Sequence, residues 1–144
     1  MVTQAGERRR IVVGVDGSPP SRAALRWAVR QARVTSSVVE SLIAWDYPTT
    51  AGWPPLPLPD DFESTFGKTL SEAVAQVTKD EPGVEIRQAV IDGNAAKALI
   101  TAAQGADLLV VGNRGHGAFT QALLGSVSQH CVHLAPCPVV VVRV

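Results

Sequence analysis

Residues 108–117 read LLVVGNRGHG, a short apolar run followed at once by a loop that holds three glycines. A continuous run of leucine and valine is typical of a strand that is covered on both faces of a sheet. Helical spacing of apolar residues resumes near residue 120, so this part of the chain predicts a strand, a loop and a helix in succession. Parallel α/β sheets are built from such units.

The same alternation extends over the whole chain of 144 residues. Short β-branched runs predict strands, and apolar residues at helical spacing predict helices. The strands are predicted at 10–15, 37–45, 84–91, 107–112 and 138–142, and the helices at 19–33, 61–80, 95–104 and 120–134. This βαβαβαβαβ order predicts an α/β fold with a mostly parallel sheet. Because no repeat or interdomain linker interrupts it, we expect one domain over residues 1–144.

Composition limits the classes of partner. The chain carries 13 Lys+Arg against 13 Asp+Glu, which argues against a partner bound mainly through its phosphates, such as duplex nucleic acid. Two cysteines are too few for a secreted disulfide framework. No apolar stretch approaches the ~20 residues of a membrane span, and the run at 11–15 is too short for a signal peptide. We therefore expect a cytoplasmic protein with neither a nucleic-acid nor a membrane partner.

The glycine loop at 112–117 is the first candidate site. Its backbone N–H groups are suited to an anion, and the helix that follows adds its N-terminal dipole. A tight strand-to-helix turn explains the glycines equally well. The loop lacks the Lys and Ser/Thr of a P-loop, because Ala118 and Phe119 follow it, and its G-x-x-G-x-G order is not the dinucleotide fingerprint.

A longer spacing carries a resemblance to a known family. Gly112-x2-Gly115-x9-Gly125-Ser126 matches the ATP-binding pattern of the universal stress protein family position for position. The segments IVVGVDGS at 11–18 and APCPVVVV at 135–142 also resemble that family, so the resemblance covers nearly the whole chain. It implies a Rossmann-like three-layer sandwich with a five-stranded sheet in the order 3-2-1-4-5. The first and fourth strands then lie side by side, with a crevice between their ends.

The resemblance implies roles for residues on both lips of this crevice. Asp16 is expected to contact the ribose or the adenine, and Ala44 to offer its backbone to the adenine. For Asp16, an Asx-turn into the first helix is the structural alternative. Arg114 is a further candidate, since a guanidinium is a fork-shaped donor to phosphate, although a solvated loop arginine explains it equally well.

The phosphate end of the nucleotide is assigned to the glycine pattern itself. Gly112 and Gly115 are expected to leave room for ribose and phosphates, while Gly125, Ser126 and Ser128 are expected to bind phosphate oxygens. Ser126 falls inside the helix predicted at 120–134. A helix that starts afresh near Gly125 would suit its role better.

These residues predict a binding protein rather than a fast enzyme. No general base is matched to a nucleophile, and no catalytic residue, metal cluster or arginine finger is evident. We predict an ATP-binding regulator or sensor of the stress response, with Mg²⁺ held mainly through the phosphates and any hydrolysis slow. The alternatives are a slow nucleotide hydrolase on the same scaffold, with Asp16 and Arg114 as functional groups, or a relative that binds AMP or a cyclic nucleotide. The stress signal and the protein partner stay unassigned.

Four further segments carry expectations. His130, Cys131, His133 and Cys137 lack regular zinc spacing, so we expect the cysteines to be core residues. The proline-rich loop 46–60 is expected to be a semi-rigid lid or a partner surface, with a plain connector and then an SH3-type polyproline ligand as the alternatives. Residues 93–96 read GNAA where the family often has Gly-Asp-Pro-Ala, and we expect little effect on nucleotide binding. The last strand is an apolar edge that the family's dimer pairs with its twin, which predicts a homodimer through 138–144.

Overall fold

The computed structural model describes residues 8–45, 62–114 and 124–144. Strands and helices alternate in it as predicted. They are β1 (Arg10–Gly14), α1 (Pro19–Thr35), β2 (Val38–Trp45), α2 (Phe62–Asp80), β3 (Ile86–Asp92), α3 (Ala95–Ala102), β4 (Leu108–Gly112), α4 (Ser126–Leu134) and β5 (Val139–Val142). The five strands form one parallel sheet in the order β3-β2-β1-β4-β5. This confirms the α/β fold class and the strand order that the resemblance implied.

The sheet separates two hydrophobic cores, because successive side chains along a strand point to opposite faces. Ile11 and Val13 of β1 pack with Leu70 on the face that α1 and α2 cover. Val12 packs with Leu99 on the face that α3 and α4 cover. All five of these side chains are buried. The helices therefore lie on both faces of the sheet, as the continuous apolar strands predict.

Helix α1 begins and ends with recognisable capping residues. Ser18 is its N-cap, and Ser36 ends it in the left-handed conformation with φ 57°, donating its N–H to Ala32 O. The helix is two residues longer than the predicted end at 33. Its buried stripe, which the periodicity predicts, contains Leu25, Ala28, Val29 and Ala32.

Helix α4 corrects one predicted boundary. The sequence predicts one helix over 120–134. In the structure Gly125 is extended, with φ −71° and ψ 168°, and α4 begins at Ser126. The Gly125 N–H donates to Asn113 O at 2.7 Å, which ties this glycine to the end of β4 and starts the helix after it. Residues 115–123 lie outside the described part of the chain, as do 1–7 and the proline-rich loop 46–60.

Helix α3 is the shortest of the described helices and has the most apolar sequence. Its N-cap is Asn94, whose side chain accepts the Lys97 N–H at 3.0 Å, so the GNAA segment starts a capped helix without a proline. Among the described residues, every helix is too short or too polar to cross a lipid bilayer.

Candidate functional site

A cleft opens at the carboxyl ends of β1, β2 and β4, on the face of the sheet that α3 and α4 cover. It lies at the point where the strand order reverses, since β2 flanks β1 on one side and β4 on the other. Ligands of open α/β sheets bind at this position. The cleft contains about 550 Å³ of empty space, part of it open to solvent.

The structure brings five of the eight predicted site residues together around this cleft. They are Asp16, Ala44, Gly112, Arg114 and Ser128. Gly125 and Ser126 stand at the start of α4, directly before the lining residues Val127 and Ser128. Gly115 lies outside the described residues.

One wall of the cleft is apolar. It is lined by Leu42 of β2 and by Ala95, Ala98 and Leu99 of α3. Helix α3 approaches the sheet closely because β1 ends in Gly14, where a Cβ would be only 2.8 Å from Leu99 Cδ1. A flat apolar ring is the kind of group that this wall suits.

The Asp16 side chain closes its own turn. Its Oδ1 accepts the Ser18 N–H at 2.8 Å and also contacts the Ser18 hydroxyl. This is the Asx-turn that the sequence left open as an alternative, and it coexists with a place in the cleft. An ionised carboxylate is an acceptor only, so a ligand group that forms a hydrogen bond with Asp16 has to be the donor.

Ala44 presents backbone groups rather than a side chain. Val15 N donates to Leu42 O at 2.8 Å, and Gly93 N donates to Trp45 O at 2.7 Å. Because backbone groups alternate in direction along a strand, Leu42 faces β1, Trp45 faces β3, and Ala44 again faces the β1 side. Ala44 lies past the end of β1, so its N–H and C=O point toward the cleft. A donor and an acceptor stand there side by side.

Gly112 has a packing reason to be glycine. A Cβ on it would be 2.7 Å from Pro20 C and 2.8 Å from Pro20 O, on the side of the sheet opposite the cleft. Only glycine lets the end of β4 lie this close to the first turn of α1. Its predicted role toward ribose and phosphates stays a prediction.

The start of α4 offers backbone donors to the cleft. The first bond within the helix runs from Gln129 N to Gly125 O at 3.0 Å, so the N–H groups of Ser126, Val127 and Ser128 precede it. Gly125, as the N-cap, has no side chain to accept from them. By contrast, α1 is capped by the Ser18 side chain and α3 by Asn94. At α1 no N–H group is left, because Pro19 and Pro20 have none, and at α3 the Asn94 side chain accepts one of the first three. At α4 no side chain accepts any of the three, so this start offers the most donors to an anion.

Ser128 is tied to the protein through its hydroxyl. Its Oγ donates to Gly112 O at 2.5 Å, and the residue is buried. This bond links α4 to the end of β4. The hydroxyl proton is therefore already used, and a phosphate oxygen is better met by the Ser128 backbone N–H.

The polar residues that follow β4 differ in their surroundings. Arg114 lines the cleft beside Gly112. Asn113 is buried, its N–H donates to Val142 O at 2.8 Å, and no described residue donates to its Oδ1. Arg114 therefore adds a positively charged residue to the lining of the cleft.

The two cysteines lie on the same side of the sheet as the cleft but belong to the core. Cys131 is fully buried in α4, and burial, followed by the charge of Cys137, raises the pKa of its thiol to about 11. Burial and then the Asp107 carboxylate raise the pKa of Cys137. Neither thiol is activated, and no group of His, Cys, Asp or Glu within the described ranges is arranged to hold a metal ion.

Sequence reasoning missed two residues of this region. Ser18 and Ser21 are both buried and hydrogen-bond to Asp16, and Ser21 also lines the cleft. The signal was present, because serines two and five positions after the acidic residue fall on the turn and on the first turn of α1. Neither serine was predicted to be a site residue.

Comparison with known proteins agrees with this geometry. The chain matches the Universal stress protein family over residues 7–143. It belongs to the universal stress protein family. A universal stress protein of Mycolicibacterium smegmatis is 33% identical over 149 residues, which cover 99% of this chain and 50% of that protein. One from Mycobacterium tuberculosis is 33% identical over 133 residues, which cover 92% of this chain and 44% of that protein. The chain thus spans about half the length of the curated relatives it matches.

Solved structures share the fold of this universal stress protein. A crystal structure of a universal stress protein in complex with cAMP has a TM-score of 0.73 at 26% identity and covers 94% of this chain and 97% of its own. A universal stress protein from Archaeoglobus fulgidus in complex with dAMP has a TM-score of 0.69 at 23% identity and covers 93% and 97%. One from Arabidopsis thaliana with AMP bound has a TM-score of 0.63 at 21% identity and covers 94% and 91%.

Proposed function

We propose that this universal stress protein binds an adenine nucleotide in the cleft between β1 and β4. The observation that carries the proposal is the pairing of two unlike polar ends in one cleft. Asp16 stands at one end as an acceptor for hydroxyl groups, and the uncapped start of α4 stands at the other with N–H donors. A nucleotide has hydroxyls on its sugar and a phosphate beside it, so both ends are used at once.

The base is proposed to lie against the apolar wall. Ala95, Ala98 and Leu42 offer a surface without charge, and the Ala44 backbone adds a donor and an acceptor at its rim. Adenine presents an adjacent acceptor and donor on its ring edge, which complements that pair. The solved relatives named above carry cAMP, dAMP or AMP, which supports an adenine base here.

The phosphates are proposed to meet the backbone N–H groups of Ser126, Val127 and Ser128, with Arg114 beside them. Gly112, Gly115 and Gly125 are proposed to keep this approach open. A helix N-terminus and a guanidinium both favour an anion, even in a chain whose formal net charge is zero.

ATP with Mg²⁺ is the ligand we propose first, with AMP or a cyclic nucleotide as the second candidate. Asp16 is the one carboxylate among the described residues that line the cleft, so a metal ion would be held mainly by phosphate oxygens. Bound Mg²⁺ would neutralise part of the phosphate charge. The solved relative in complex with cAMP favours the second candidate.

The biological role proposed is that of a nucleotide-dependent regulator or sensor of the stress response, built as one domain over residues 1–144. Slow nucleotide hydrolysis on the same scaffold is the alternative activity. A cytoplasmic location stays a prediction.

A homodimer through β5 is part of the same proposal. β5 is an edge of the sheet, its four valines are only half-buried, and Val144 beyond it is exposed. Val132 and Leu134 of the neighbouring α4 are exposed as well. An apolar, uncharged edge strand is prone to pair with another strand, and a second copy of β5 satisfies it.

Extraction of freshly purified protein tests the ligand, with mass spectrometry to identify any nucleotide released. Calorimetric titration of the emptied protein then compares ATP with Mg²⁺, AMP and cAMP, with GTP as the control for the base. We expect binding of at least one adenine nucleotide and no comparable binding of GTP. If none of the adenine nucleotides binds at millimolar concentration, the proposed function is wrong.

A further inference from the structure

The turn between β1 and α1 contains a closed set of hydrogen bonds around Asp16. Asp16 Oδ1 takes the N–H of Ser18, the N-cap of α1. In a capping box, that N–H is bound by the side chain of the third helical residue, which here is Ser21. Because the Asp16 carboxylate accepts the Ser18 N–H here, the Ser21 side chain is available for another partner.

Ser21 uses its hydroxyl to hold the backbone of Asp16. The Ser21 Oγ accepts the Asp16 N–H at 3.1 Å and donates to Ser18 O at 3.0 Å. Ser18 Oγ in return accepts the Ser21 N–H at 3.4 Å. Ser18 is 4% and Ser21 5% exposed, so water does not replace these bonds easily. Asp16 is fixed both at its N–H and at one carboxylate oxygen.

The same turn is unsuited to phosphate. Pro19 and Pro20 occupy the first two positions of α1 and lack N–H groups, and the Asp16 carboxylate adds negative charge in front of them. A phosphate is therefore directed to α4, and the α1 end of the cleft is left for a group that donates hydrogen bonds.

We propose that Ser21 is a positioning residue that holds Asp16 for a hydroxyl of the sugar, so that the cleft selects nucleotides that retain a 2′- or 3′-hydroxyl over those that have neither. The inference rests on the proposed nucleotide site and extends it to the sugar. Ser21 does not need to touch the ligand. Its hydroxyl fixes the backbone that carries the carboxylate, and the carboxylate accepts from the sugar.

Calorimetric titration with AMP and 2′,3′-dideoxyadenosine monophosphate tests this, since the two differ only in the ribose hydroxyls. In the unmodified protein we expect AMP to bind about tenfold more tightly than the dideoxy analogue. In Ser21→Ala we expect AMP to bind about tenfold more weakly and the analogue to bind as before, so that the discrimination is lost. Ser21→Cys fills the same space with a poor hydrogen-bonding group and is expected to behave like Ser21→Ala.

Ser41→Ala is the matched control. Ser41 is fully buried in β2 and its hydroxyl donates to Arg87 O at 2.8 Å, away from the cleft, so this variant loses a comparable bond and should keep the discrimination. The positioning role is wrong if both Ser21 variants keep the tenfold ratio, or if they weaken AMP and its analogue equally. Equal binding of the two nucleotides by the unmodified protein also contradicts it. Binding of neither contradicts the proposed function itself.

Discussion

Gly112 at the end of β4 lies in direct contact with the backbone of Pro20 in α1, since a Cβ on the glycine would be 2.7 Å from Pro20 C. This contact joins two segments that are 92 positions apart in the sequence. It brings the turn that carries Asp16 and the strand that leads to α4 to the same edge of the sheet. The cleft exists because these two strand ends are held side by side.

Gly112→Ala is expected to destabilise the fold, because the new methyl group meets backbone atoms that cannot rotate away. We expect the free energy of unfolding to fall by about 1–3 kcal/mol, measured by urea denaturation. Gly67→Ala in α2 is the control, since its Cβ would be at an ordinary 3.7 Å from Val90 Cγ2. That change should raise the free energy of unfolding by about 0.5–1 kcal/mol. Equal stability of the two variants would contradict the close packing.

Ala95→Pro is expected to stabilise the protein. Ala95 is the first residue of α3, where its N–H has no partner in the helix, and Asn94 before it is already extended, with ψ 130°. Fixing φ at that position should raise the free energy of unfolding by about 0.4–1 kcal/mol. Ala98→Pro is the control, because the Ala98 N–H donates to Asn94 O at 2.9 Å and its loss costs about 3 kcal/mol. Destabilisation by Ala95→Pro would show that Ala95 is not the first residue of α3.

The sequence predicts the order of elements well because β1, β4 and β5 are short apolar runs, β2 and β3 are rich in β-branched residues, and the helices carry apolar residues at helical spacing. The start of α4 after Gly125 is a boundary that apolar spacing does not predict. Apolar spacing continues across it, whereas the bond from Gly125 N to Asn113 O, which starts α4, is a backbone contact that spacing does not report. The packing of Gly112 on Pro20 is hidden for the same reason, since it joins residues far apart in sequence. The serine at position 21 is evident in the sequence, but its hydrogen bond to the backbone N–H of Asp16 is not, because residue spacing does not report side-chain contacts with the backbone.

Stability is expected to fall at alkaline pH because of Cys131. Burial raises the pKa of its thiol from 9.0 to about 11, so the folded state favours the neutral thiol. The stabilisation is complete below pH 9 and is lost as the pH rises from 9 to about 11, where the unfolded chain loses the proton and the folded chain retains it. Urea unfolding at several pH values checks this, with Cys131→Ala as the control. The decline between pH 9 and 11 should be smaller in Cys131→Ala, and an unchanged decline contradicts the assignment.

Val141→Pro is expected to convert the proposed dimer to a monomer without unfolding it. Leu109 N donates to Pro138 O at 3.0 Å and Asn113 N to Val142 O at 2.8 Å, so residues at even positions of β5 face β4. The backbone groups of Val141 therefore face the open edge, where a proline removes the donor that a second β5 would use. Sedimentation velocity at micromolar concentration checks the change in mass.

Val140→Pro is the control for that experiment, because the Val140 N–H faces β4. Loss of its hydrogen bond to β4 should lower the melting temperature instead. A monomeric unmodified protein, or a Val141→Pro variant that stays a dimer, would show that β5 is not the interface.

The central claim is that one cleft receives a nucleotide with its sugar at Asp16 and its phosphates at the start of α4. Titration of isotopically labelled protein with AMP, followed by amide chemical shifts in two-dimensional NMR spectra, tests it most directly. We expect the largest changes at the amides of Ala44, Ser126, Val127 and Ser128, with smaller changes at Asp16. Absence of changes at these amides, or changes confined to the outer surfaces of α2 and β3, would contradict the account.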